Sequence, residues 1–177
     1  RYLDAILFGN ILISALVLKQ VDWAEEFIKK YSSEVSPENR EGLIQYSNAR
    51  IKFARGEFEQ SLKLLNQIKS FNHIQYKIAI RDLMLINYYE LSLFTQAYSF
   101  LYSHRHFLNK NKNYFSPERF ERESNFMKLF AKILKLKEKL NRGEIDALAL
   151  EIQSTNSVIE WAWLTEKIVE LKSMASD

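Results

Sequence analysis

Apolar residues recur at helical spacing on both sides of a short polar corner between Asn48 and Ile68. Ala49, Phe53 and Ala54 form one stripe, and Arg55 adds a cation where a helix dipole favours it, in the last turn. Gly56 stands where a helix needs a left-handed cap, which a residue without Cβ adopts most easily. Glu57 and Glu59 then place negative charge at the start of a second helix. Its stripe is Phe58, Leu62, Leu65 and Ile68, with Ser61 small enough to let a neighbouring helix come close. The pattern predicts a helical hairpin.

The unit recurs. Ser92 lies 36 residues after Gly56, and Phe94, Ala97 and Leu101 then answer Phe58, Ser61 and Leu65. Val21 lies 35 residues before Gly56, although in that register Glu26 replaces the small residue. A last echo is Asn141–Leu148, where Gly143 matches Gly56 and Ile145 matches Phe58. The step from Ser92 to Gly143 is 51 residues, so something is inserted there.

The remaining patterns complete a series of about nine helices. Ala5–Leu18 reads as a buried first helix, and Trp23–Tyr31 as a second with Trp23, Phe27 and Ile28 facing inward. Ser36-Pro37-Glu38 opens a helix running to Arg55, with Ser as cap and Pro at the first helical position. One helix runs from about Asn72 to Leu91, and Phe94–Phe107 closes that hairpin. The polar run Asn109–Asn113 is a break, after which Ser116-Pro117-Glu118 opens a long helix to Leu140. Gly143 turns the chain into a helix ending near Ser154, and Val158–Met174 is the last. That final helix either ends the stack or docks on a second copy, which leaves a homo-oligomer open.

Composition agrees with long helices and short connections: 4 Gly and 2 Pro among 177 residues, with 47% hydrophobic content. The expected fold class is all-α, a right-handed α-solenoid of antiparallel helix hairpins. One domain is expected over 1–177, with regular repeats over 1–108. An inserted long helix, a degenerate hairpin and a capping helix fill 109–177. The chain starts at Arg1 without Met, as the C-terminal part of a longer chain is expected to do. Cysteine is absent, which excludes disulfides and thiolate metal sites and suits a cytoplasmic protein. The apolar run Ala5–Leu18 is shorter than the roughly 20 residues of a membrane span and is broken by Asn10 and Ser14.

A period of 35–36, with an aromatic after the corner and a small residue three further on, resembles the tetratricopeptide repeat of about 34 residues. The resemblance covers roughly Tyr2–Ser103, without the Trp–Leu–Gly–Tyr signature on the first helices. The phrases WAEEFIKKY (23–31), LMLINYYEL (83–91), NFMKLFAKILKL (125–136) and WLTEKI (163–168) are similar to a family of uncharacterised bacterial tetratricopeptide-type proteins. That second resemblance implies the fold and no activity. In tetratricopeptide arrays the first helix of each hairpin lines a concave groove that takes a peptide or a partner's helix. By matching corners, Tyr46, Arg50 and Phe53 are expected there from one hairpin, and Asp82, Ile86 and Tyr89 from the next. Tyr and Arg are frequent among binding hot spots.

No catalytic constellation accompanies this scaffold. His104-Arg105-His106 has residues two apart, which do not share a helix face, and reads as a solvated helix end with no metal. His73 reads as a helix-start residue. Most carboxylates stand beside lysines at surface-pair spacing, as in Glu25–Lys29, and no Gly-rich phosphate loop is present. No enzyme activity and no cofactor are expected. Charge is uneven: the net is +3, yet Arg105–Arg142 holds eleven Lys/Arg against four Asp/Glu. Within it Lys128, Lys132, Lys135 and Lys139 follow one another at helical spacing. The expected function is a protein-interaction scaffold binding a partner protein or peptide. The alternative is a nucleic-acid-associated protein using the basic region 105–142.

Overall fold

The computed structural model describes residues 2–69 and 71–176, and everything regular in them is helical. Nine α-helices are present among the described residues: α1 (Ala5–Val17), α2 (Val21–Tyr31), α3 (Pro37–Ala54), α4 (Phe58–Gln67), α5 (Ile74–Glu90), α6 (Phe94–Lys110), α7 (Pro117–Glu138), α8 (Arg142–Ser154) and α9 (Trp161–Met174). Single 3₁₀ turns at Ser32–Glu34 and Lys112–Tyr114 precede α3 and α7. The chain divides into two compact units, Arg1–Ser92 and Leu93–Asp177. The sequence places the change of organisation at residue 109. In the structure α6 runs on through Asn109 and Lys110, and the division falls at the third corner.

In the first unit each helix packs on the next, and α1 and α3 also on the next but one: α1 on α2 and α3, α2 on α3, α3 on α4 and α5, α4 on α5. Phe8, Leu12, Leu43, Ala49, Ile78, Leu83 and Leu85 are fully buried in this layer. The amino-terminal segment is tied down by a short bridge between Leu3 and Val35, with the Leu3 N–H donating to Glu34 O at 2.8 Å.

The corner is one backbone conformation used repeatedly. Gly56 is left-handed at φ 76°, its N–H bonds Phe53 O, and the Glu57 N–H reaches back to Lys52 O, closing α3 in a Schellman motif. Lys19 adopts φ 60° with the corresponding bonds from Lys19 N–H to Leu16 O and from Gln20 N–H to Ala15 O. Ser92 adopts φ 54° and its N–H bonds Tyr89 O. The first corner is therefore Lys19, not Val21, and the spacings are 37 and 36 residues. This register removes the misfit at Glu26. Five residues past each corner stand Ala24, Ser61 and Ala97, all fully buried, and seven before stand Leu12, Ala49 and Leu85, also fully buried. Gly143 is no corner: it lies in the first turn of α8, which Asn141 caps by accepting the Glu144 N–H.

A left-handed residue with a Cβ is strained by about 1–2 kcal/mol. Gly56 has nothing within 4 Å of where a Cβ would sit, so substitution there tests the backbone alone. Gly56→Val is expected to destabilise by about 1 kcal/mol or more, whereas Lys19→Gly and Ser92→Gly should each stabilise by about 0.5–1 kcal/mol. Urea unfolding of the three variants measures this. Stabilities unchanged in all three would remove the shared corner.

In the second unit α7 is the central helix, packed on α6, α8 and α9, while α8 packs on α9. The Ser116 hydroxyl accepts the Arg119 N–H and so caps the start of α7. Tyr98 bonds Glu138, and Arg105 donates to Met127 O, so α6 and α7 run antiparallel. Phe126, Phe130, Ile133, Leu134, Leu164 and Leu171 make the core, as the apolar spacing of both helices requires. The Asn125 side-chain amide donates to Ser157 O at 2.8 Å and holds the connection that leads into α9.

Candidate interaction surfaces

The residues assigned to a groove are interior ones. Tyr46, Arg50, Asp82, Ile86 and Tyr89 are all buried, and Phe53 is half-buried. Within the first unit the reason is aromatic filling. The Arg50 Nε donates to the Tyr46 hydroxyl at 2.9 Å, with the guanidinium 5.5 Å from the Tyr46 ring centre. Tyr76 stands edge-on to Tyr46 at 5.5 Å, and Phe71 stacks on Tyr76 at 4.4 Å. The chain's own rings thus pack around Tyr46 and Arg50. Asn87 joins this polar interior by donating to the Ser61 hydroxyl and to Leu83 O, both at 2.9 Å.

Tyr76 also reaches α1, where its hydroxyl donates to Ala5 O. That approach requires Gly9, because a Cβ there would strike the Tyr76 hydroxyl. Burial pushes the Tyr76 phenol well above its ordinary pKa.

The open apolar surface of this unit is elsewhere, on α1 and α2. Only one face of α1 is covered: Ala5, Phe8, Gly9, Leu12 and Ala15 are buried, while Leu7, Val17 and Leu18 are at least half exposed. Trp23, expected to face inward, is 52% exposed and lies flat against Phe27 at 5.3 Å. Asn10, Ile11, Ser14, Ala15, Leu18, Gln20 and Trp23 line a groove of about 470 Å³. Its walls are chiefly apolar, with Asn10, Ser14 and Gln20 as the polar groups. The Ser14 hydroxyl is turned back onto its own helix, donating to Asn10 O at 2.8 Å. Beyond Trp23 the surface becomes charged, where Arg55 bridges Asp22 and Glu25 at 3.3 and 2.8 Å. Arg55 holds the Glu25 carboxyl below its usual range.

Lys128, Lys132 and Lys135 are exposed along α7, as their spacing implies, while Lys139, also exposed, lies just past its end as the extended C-cap residue. Two are engaged by α8: Lys132 pairs with Glu151 at 2.6 Å and Lys135 with Glu144 at 3.7 Å. Much of the basic surplus of α7 is therefore neutralised within its own unit. His104, read as part of a solvated helix end, is fully buried with Phe100 and Phe107 nearby. His106 is the exposed one and packs on Tyr102 at 4.6 Å. His73 is the N-cap of α5.

Among the described residues no three His, Cys, Asp or Glu are grouped to hold a metal ion. Nor is any of their helices long and apolar enough to cross a membrane. Compared with protein-family models, with curated proteins and with solved structures, the chain matches none.

Proposed function

We propose that this chain is a protein-interaction scaffold, built as a tetratricopeptide-like right-handed array of helix hairpins and binding a partner through the groove of α1 and α2. The observation that carries this reading is the apolar groove wall of exposed Leu18 and Trp23 with half-buried Ile11, alongside exposed Leu7 on the same helix, on an otherwise well-packed unit. Contiguous exposed apolar surface rimmed by polar groups is characteristic of binding sites. An amphipathic helix of a partner suits it best, laying apolar side chains at four-residue spacing against α1. The shared corner at Lys19, Gly56 and Ser92 supports the repeat architecture.

The test is a pull-down from host lysate with the full-length protein, treated with nuclease, against a Leu18→Glu/Trp23→Ala variant. Both residues are exposed, so the variant is expected to fold; a melting curve checks that. A discrete protein retained after nuclease and lost from the variant is the expected result. A partner that binds the variant equally well, or no retained protein at all, contradicts the reading.

A further inference from the structure

Between Glu90 and Glu118 the sequence has no Asp or Glu, and it carries Arg105, Lys110 and Lys112. This stretch forms α6 and the 3₁₀ turn after it. Its exposed side is aromatic as well as basic. Tyr102 and Tyr114 are 68% and 70% exposed, and Tyr98 is partly so. Tyr98, Tyr102, His106 and Lys110 succeed one another at four-residue spacing, which lines them up along the helix surface. Arg105 and Asn109 flank the same line; one Arg105 N–H is given to Met127 O, and the side chain is otherwise exposed.

The geometry fixes some of these groups and leaves others open. Tyr98 is engaged at one end by Glu138, at 3.1 Å. His106 meets Tyr102 edge to face, which holds the Tyr102 ring in place. Lys112 lies 5.0 Å from the Phe120 ring centre, so its charge is kept beside the turn. The surface therefore offers flat rings spaced among cations with no carboxylate from its own stretch.

We infer that the exposed face of α6 and its following turn binds single-stranded nucleic acid, with Tyr102 and Tyr114 stacking on bases and Arg105, Lys110 and Lys112 meeting phosphates. Duplex presents phosphates but hides its base faces, so exposed rings favour a single strand. An acidic peptide would use the cations and leave the rings idle. This site shares no residue with the groove of α1 and α2 or with the paired lysines of α7.

The test is fluorescence anisotropy of a labelled 12-nucleotide oligothymidylate with the full chain. Three phosphate contacts predict affinity falling about 20-fold between 50 and 200 mM salt. Tyr102→Ala should weaken binding about five-fold or more, while Tyr102→Phe keeps it, because stacking needs the ring and not the hydroxyl. Lys110→Gln/Lys112→Gln should weaken binding and flatten the salt dependence. Equal binding of duplex would overturn the inference, as would a Tyr102→Ala variant with unchanged affinity. So would binding that responds to Lys128→Gln/Lys139→Gln and not to the α6 variants.

Discussion

Tyr76→Ala is expected to destabilise the protein by about 3–5 kcal/mol, the range for truncating a fully packed aromatic. Three interactions within the first unit go with the ring: the stack on Phe71, the edge contact with Tyr46 and the hydrogen bond to Ala5 O. A urea titration followed by circular dichroism measures the loss, and a value below about 1 kcal/mol would show that α1 is not pinned there. The partnership with Gly9 gives a sharper version. Gly9→Ala should cost about 1–3 kcal/mol by overpacking. In a Tyr76→Phe background the hydroxyl it would strike is gone, so the penalty should shrink. The pH response has a definite sign. Because burial raises the Tyr76 pKa, its contribution is complete below the ordinary phenol value of about 10 and is lost as pH rises toward the folded value. Tyr88 and Tyr98 are also raised by burial, so Tyr76→Phe should make the alkaline loss shallower without abolishing it.

Phe130→Ala is expected to have a comparable effect, about 3–5 kcal/mol, on the second unit. Phe130 is fully buried between Phe126 at 5.8 Å and Trp163 at 5.9 Å, and it joins α7 to α9. Truncation leaves a cavity at the centre of the helix on which the other three pack. Trp163 lies against the altered site, so tryptophan fluorescence should report the change together with circular dichroism. An effect below about 1 kcal/mol would place Phe130 outside the core.

The helices themselves were legible because apolar spacing, the paired Ser-Pro-Glu starts and the corner glycine are local signals. Their register was only partly so. Lys19 and Ser92 take the same left-handed conformation as Gly56, yet neither residue type announces it, and the sequence pattern alone sets the first corner two residues late, at Val21. Gly143 announces a corner that the chain does not make, since Asn141 caps α8 first. The burial of the residues expected in a groove has a related reason. Arg50 and Asp82 are residue types normally found at a surface, and nothing local reveals that both are buried, or that Tyr76 and Phe71 pack beside Tyr46. The spacing of the α7 lysines correctly marked an exposed face, but Glu144 and Glu151, which neutralise two of them, come from another helix. The helical pattern of Trp23–Tyr31 places Trp23 inward with Phe27 and Ile28, but it is half exposed. Its stacking on Phe27 satisfies one face of the ring and leaves the other at the rim of the groove.

The most direct test of the scaffold reading is site-specific photo-crosslinking in the host, with a photoreactive phenylalanine at position 18 or 23 of the full-length protein. Lys63, exposed on α4 in the same unit, serves as the control position. The account predicts a discrete protein adduct at positions 18 and 23 and none at 63. Adducts equally strong at all three positions, or none at 18 and 23, would contradict it.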